Sequence, residues 1–191
     1  MIKRIAITGG IGSGKSYLCA LLAKRGIDVF DCDESAKRLM RTSRRLQQQL
    51  SEAVGQEVFP DGVLDKALLS RYIVASEANA QRVDGIVHPA VAEDFMSSGK
   101  EWLESAILFE SGFYVRVPFD YIVCVTAPLE TRLQRVMARD NLSREKALAW
   151  INRQMPEEEK KRRADYVVVN DGKVDLEKQI DHVIKEIHNR T

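Results

Sequence analysis

Cysteine is scarce in this chain. There are three, Cys19, Cys32 and Cys124, an odd number with no C-x-x-C pair. That excludes a disulfide framework and a zinc cluster of closely spaced thiols, and leaves small apolar side chains in a reducing compartment. An excess of charge of one sign is also missing: 29 Lys and Arg stand against 28 Asp and Glu, a formal net charge of +1. Such a balance provides no general electrostatic footprint for nucleic acid or an anionic membrane. No apolar run approaches the roughly 18 residues needed to span a bilayer. Met1-Ile2-Lys3-Arg4 leads directly into a short strand-like segment, without the apolar region of a signal peptide. Internal repeats and low-complexity stretches are absent. The expectation is a soluble, cytoplasmic protein without nucleic-acid or membrane partners, a monomer or small homo-oligomer. Its 191 residues make one domain, and a chain of that size buries roughly 70% of its unfolded surface without disulfides.

What is present is a regular alternation of short apolar runs and helical patterns. Ile5-Ala6-Ile7-Thr8 ends in glycines, as a buried parallel strand does. A helix is predicted over 15–24, with Leu18, Leu21 and Leu22 inward and Gly26 as its stop. A second strand is predicted at Asp28–Asp31, a third at Ser105–Phe109, a fourth at Tyr121–Val125 and a fifth at Tyr166–Val169. Residues 34–96 read as helical, interrupted at Gly55–Gly62 by the turn Phe59-Pro60-Asp61-Gly62. Residues 130–163 form a charged helical region, in which Glu157–Arg163 reads as a solvated face. An amphipathic helix over 176–187 closes the chain. Short strands, apolar throughout and alternating with helices, argue for an α/β fold with a five-stranded parallel sheet covered on both faces.

Gly9-Gly10-Ile11-Gly12-Ser13-Gly14-Lys15-Ser16 satisfies G-x-x-x-x-G-K-[ST] in full, after a strand and at the start of a helix. A phosphate chain needs several backbone N–H groups brought close, which glycine permits, and the helix N-terminus adds free donors and partial positive charge. Lys15 is placed to reach the β- and γ-phosphates of ATP and Ser16 to hold Mg²⁺. The guanine motif N-K-x-D and the switch motif D-x-x-G of GTPases are both missing. A P-loop, a helical insertion able to hold an acceptor, and an arginine-bearing segment follow in the order of a small-molecule kinase.

Here the residues carry a more specific resemblance. Thr8–Ser16, Asp31-Cys32-Asp33, Ile86-Val87-His88-Pro89, Leu108-Phe109-Glu110, Arg135–Asp140 with Gln154, and Ala164–Asn170 resemble, in order, the motifs of the dephospho-CoA kinase family. Ala106, Tyr17 and Arg132 depart from that pattern, Arg132 standing where glutamine is common. The resemblance implies transfer of the γ-phosphoryl group of ATP, with Mg²⁺, to the ribose 3′-hydroxyl of dephospho-CoA. It implies a P-loop NTPase core (about 1–33, 100–129 and 164–191), an acceptor-binding insertion (34–99) and a lid (130–163). Other P-loop small-molecule or nucleoside monophosphate kinases are the alternative.

The ATP site so implied comprises Gly10, Ile11, Gly12, Ser13, Gly14, Lys15, Ser16, Tyr17, Arg139 and Asn170. The acceptor site comprises Asp33, His88, Pro89 and Glu110. Asp33, just past the second strand, lies where parallel strands face their ligand crevice and is the candidate base. It also reads as a helix N-cap before Glu34-Ser35-Ala36. Asp31 is a second candidate for Mg²⁺. Arg139, with Arg135 one turn earlier, is the candidate lid cation and, with Asp33 and Lys15, completes the catalytic set. His88 reads equally as a core or turn histidine. Trp102 and Trp150 read as packing residues.

Overall fold

The computed structural model describes residues 3–189. By compactness the chain divides into two units, one built from the chain up to Phe30 and from Lys100 onward, the other Asp31–Gly99.

The first unit holds a five-stranded sheet, all of it but Asp31: β1 (Ile5–Thr8), β2 (Val29–Asp31), β3 (Trp102–Glu104), β4 (Tyr121–Thr126) and β5 (Tyr166–Val169), in the order β2-β3-β1-β4-β5. β1 lies in the middle, parallel to both β3 and β4, and β4 is parallel to β5. All four β1 residues are buried, as a central parallel strand covered on both faces requires. Six helices belong to this unit: α1 (Lys15–Lys24), α6 (Phe113–Arg116), α7 (Leu129–Asp140), α8 (Arg144–Asn152), α9 (Glu157–Arg163) and α10 (Leu176–Asn189). Leu18, Leu21 and Leu22 of α1 are fully buried, and α10 adds Leu176, Ile180, Val183 and Ile187 at helical spacing to the same cluster as Ile5, Ile7, Val123 and Val168. Each such side chain contributes about 1.5–3 kcal/mol on leaving water.

The third strand differs from the expectation. It is Trp102–Glu104, and Ser105–Phe109 lies outside it. In register Ile5 faces Trp102 and Ile7 faces Glu104; Ser105 N–H then donates to Ile7 O at 2.9 Å, and the chain leaves the sheet. The apolar residues Leu108 and Phe109 are buried in the turns that follow, whereas Ile107 is exposed. This apolar run imitates a strand because burial, not pairing, sets its composition. Trp102 is buried as expected, whereas Trp150 is 41% exposed on α8.

The second unit is helical: α2 (Cys32–Thr42), α3 (Arg44–Val54), α4 (Lys66–Ala75) and α5 (Glu77–Ser98), with a short 3₁₀ turn at Pro60–Gly62. Its core is Leu46, Leu50, Val58, Phe59, Leu69 and Val83. Each helix start is fixed by a side-chain cap: Asp31 accepts from Glu34 N–H, Ser43 from Leu46, Asp65 from Leu68 and Ser76 from Asn79. Capping at these positions satisfies N–H groups that have no partner within the helix. The cap before α2 is therefore Asp31. Asp33, read above as a possible cap, sits inside the first turn instead. Pro89 lies within α5, so His88 is a helical residue and not a turn residue.

Candidate active site

The loop between β1 and α1 is held by four side chains that reach it from distant parts of the chain. Arg132 of α7 donates its Nε to Ile11 O at 2.9 Å. Gln154 accepts from Ile11 N–H at 2.6 Å. Arg135 donates to the carbonyls of Gly12 and Ser13, each at 3.3 Å. Asn170, just beyond β5, donates to Ser13 O at 2.9 Å and accepts from Arg135 through its backbone carbonyl at 3.1 Å. The carbonyls of Ile11, Gly12 and Ser13 are thus turned onto cations and an amide, and a carbonyl so held aims the N–H of the following residue the other way.

Glycine is demanded at two places by these braces. A methyl group at Gly10 would run into the Arg132 guanidinium, and one at Gly14 into the Asn170 amide. Gly14 also has φ 97°, ψ 28°, a left-handed conformation that costs an L-residue about 1–2 kcal/mol.

Lys15 is buried, and its Nζ curls back over the loop to donate to Gly9 O at 3.0 Å and Gly10 O at 3.4 Å. It also lies 3.8 Å from Glu104 Oε1, with side-chain exposures of 10% and 15%. Glu104 is not among the residues expected from the sequence, where the third strand is predicted at Ser105–Phe109; the signal that could have found it is position, since it ends the strand paired with β1. Ser16 and Tyr17 are in the first turn of α1, Tyr17 well exposed. Two hydroxyls here, Thr8 Oγ1 and Ser13 Oγ, are buried without a hydrogen-bond partner.

Arg132 has a role the sequence did not reveal. It is 5% exposed and pairs with Glu157 of α9, while Glu157 Oε1 accepts from Ala127 N–H at 3.1 Å. The expectation of a solvated Glu157–Arg163 face is therefore wrong for two residues. Glu157 faces inward, and Lys160 is fully buried. Burial of an ammonium is tolerable only with charge and hydrogen-bond partners; Lys160 has Glu110 at 2.8 Å and Ala106 O at 2.7 Å. Beside Arg132, Gln154 and Glu157 opens a cleft of about 600 Å³, also lined by Thr126, Leu129 and Lys161.

Arg135 and Arg139 part company. Arg135 faces the loop, whereas Arg139 is largely exposed and pairs with Asp140 at 2.7 Å; the hydrogen bond holds the Asp140 carboxyl below its ordinary range. Glu110 Oε1 accepts from Met155 N–H at 2.9 Å. Cys124, beneath the loop in β4, is fully buried, and burial pushes its thiol up to about 11; it is no nucleophile.

The remaining site residues lie in the helical unit. Asp31 and Asp33 are both exposed, and Asp31 Oδ1 is engaged in the cap at 2.9 Å. His88 is half-buried on α5, its Nε2 3.6 Å from Asp84 Oδ1. No group of three or more His, Cys, Asp or Glu that could hold a metal occurs among the described residues.

Comparison with known proteins identifies the family. The family model described as dephospho-CoA kinase matches residues 3–175. A dephospho-CoA kinase from Bacteroides fragilis is 45% identical over 197 aligned residues, covering 100% of this chain and 95% of that protein. One from Thermus thermophilus is 38% identical, covering 96% and 91%. A solved Thermus thermophilus structure superposes with TM-score 0.81 at 36% identity, covering 96% of this chain and 97% of that one. In fold alone the chain is also similar to a shikimate kinase from Acinetobacter baumannii, with TM-score 0.57 at 13% identity over 100% and 96% of the two chains. The chain belongs to the dephospho-CoA kinase family.

Proposed function

We propose that the protein transfers the γ-phosphoryl group of ATP to the ribose 3′-hydroxyl of dephospho-CoA, forming CoA and ADP, the last step of CoA biosynthesis. The observation that carries the kinase chemistry is Lys15, held on Gly9 and Gly10 carbonyls beside Glu104. An ammonium parked on two neutral carbonyls gains by exchanging them for anionic phosphate oxygens, since charge-assisted bonds are roughly twice as strong. Phosphoryl transfer passes through a loose transition state, so catalysis rests on such positioned charge.

The residues take the following parts. The loop N–H groups and α1 N-terminus bind the phosphate chain. Ser16 and Glu104 would hold Mg²⁺, which would neutralise phosphate charge. Asp33 accepts the proton of the 3′-hydroxyl. Asp33, His88 and Pro89 bind the acceptor. Arg139 exchanges Asp140 for the transferring phosphoryl group when the exposed part of the 130–163 lid around Arg139 closes, while Arg132, Arg135 and Gln154 stay on the loop; closure excludes water and suppresses ATP hydrolysis. Its substrates are small molecules, and no helix among the described residues is long and apolar enough to cross a membrane. The free cysteines suit a reducing cytoplasm.

The test is ADP formation from ATP and Mg²⁺ with dephospho-CoA, AMP, adenosine or shikimate as acceptor. Dephospho-CoA is expected to have the highest kcat/KM. A smaller acceptor used equally well would overturn the substrate assignment.

A further inference from the structure

Resting on the reading above, we propose that Glu110 is a positioning residue for the ATP loop and not a contact to the acceptor, acting through Met155 and Gln154 on the peptide groups of Ile11.

Ile11 is gripped from both sides. Its N–H donates to Gln154 Oε1 at 2.6 Å, and its carbonyl accepts from Arg132 Nε at 2.9 Å. A trans peptide is planar with its C=O and N–H opposed, so each grip aims a group on the far side of its peptide. Holding Ile11 N–H on Gln154 turns Gly10 O the other way. That is where it accepts from Ser13 N–H at 3.1 Å and Lys15 Nζ at 3.4 Å. Holding Ile11 O on Arg132 likewise turns Gly12 N–H away from α7. The two grips therefore set the alternation of donors and acceptors that makes the loop a phosphate cradle.

Both grips are anchored on α9 or the turn before it. Arg132 is paired with Glu157. Gln154 directly precedes Met155, whose N–H is held by Glu110 Oε1 at 2.9 Å, and the same oxygen lies 2.8 Å from Lys160 Nζ. Lys160 is fully buried and also bonded to Ala106 O at 2.7 Å, so it can move only at the cost of an unpaired buried charge. Glu110 thus ties the turn carrying Gln154 to a fully buried cation. Its carboxylate is engaged on the ATP side of the chemistry.

The experiment compares Glu110→Ala, Glu110→Gln and Gln154→Leu with wild type. It measures Kd for a non-hydrolysable ATP analogue, KM for dephospho-CoA, and Tm. Glu110→Ala is expected to weaken analogue binding about fivefold to tenfold, the worth of one positioned hydrogen bond, with KM for dephospho-CoA unchanged. Glu110→Gln should recover analogue affinity, since its amide oxygen still accepts from Met155 N–H, while Tm stays lowered by the uncompensated Lys160. Gln154→Leu leaves no buried charge unpaired and keeps the test available if Glu110→Ala does not fold; it should weaken the analogue as much. Raised KM for dephospho-CoA with unchanged analogue Kd in Glu110→Ala would overturn the proposal, as would lowered Tm with both constants unchanged. Wild-type analogue affinity in Gln154→Leu would overturn it too. Analogue binding needs no acceptor, so a wild-type enzyme inactive on dephospho-CoA would refute the proposed function while leaving this inference separately decided.

Discussion

Replacing Gly14 by alanine tests how tightly the loop is built. The new methyl group meets the Asn170 amide, and the backbone there has φ 97°. An L-residue in a left-handed conformation costs about 1–2 kcal/mol. Moving the Asn170 amide aside also breaks its 2.9 Å bond to Ser13 O, worth about 0.5–1.5 kcal/mol. The sum is a destabilisation of about 1.5–3.5 kcal/mol, or roughly 3–14 °C in Tm for a chain of this size. Nucleotide affinity should fall as well, because Arg135 loses its 3.4 Å contact with Asn170 Oδ1 and the carbonyls at Gly12 and Ser13 that it holds lose their shape. Calorimetry gives the first quantity and titration with an ATP analogue the second. A Gly14→Ala protein with wild-type Tm and wild-type affinity would refute the account of the loop as a structure braced from outside.

Lys15→Ala should lower turnover at least about 10²-fold, since it removes charge aimed at the transferring group; a folded variant near wild-type kcat would contradict that role. Asp33→Asn should lower kcat on the order of 10²-fold with Tm unchanged, because the cap is Asp31. Asp31→Ala, by contrast, should cost about 1 kcal/mol of stability; chemical denaturation of the pair separates base from cap. Cys124 supplies a pH test. Its thiol is raised from 9.0 to about 11 by burial, so between these values the unfolded chain ionises while the folded one does not. Stability therefore falls as pH rises through that window, and the fall should be smaller in Cys124→Ala; equal slopes would refute the burial argument.

Much of the fold was legible because periodicity and punctuation agreed. Tyr166–Val169 is short, apolar and bounded by Asp165 and Asn170-Asp171-Gly172, and it forms a strand over those residues. The loop was legible because its chemistry is local. What sequence alone obscured was non-local pairing. Leu108 and Phe109 are apolar because turns bury them, and only the register of β1 with Trp102–Glu104 shows where the strand lies. Lys160 and Glu157 sit in a run of seven charged residues, Glu157–Arg163, where no local pattern marks which ones face inward. Their partners, Glu110 and Arg132, are distant in the chain. Arg132 looked like a departure from the family's glutamine, yet it is the residue that grips Ile11 O.

The central claim is regiospecific phosphoryl transfer, and the product's phosphorus spectrum tests it most directly. With ATP, Mg²⁺ and dephospho-CoA, the enzyme should yield a new phosphomonoester ³¹P signal coupled to the ribose H3′ proton, in a product that co-elutes with CoA and is stoichiometric with ADP. Free inorganic phosphate in place of that signal, or a phosphomonoester on any other hydroxyl, would contradict the account.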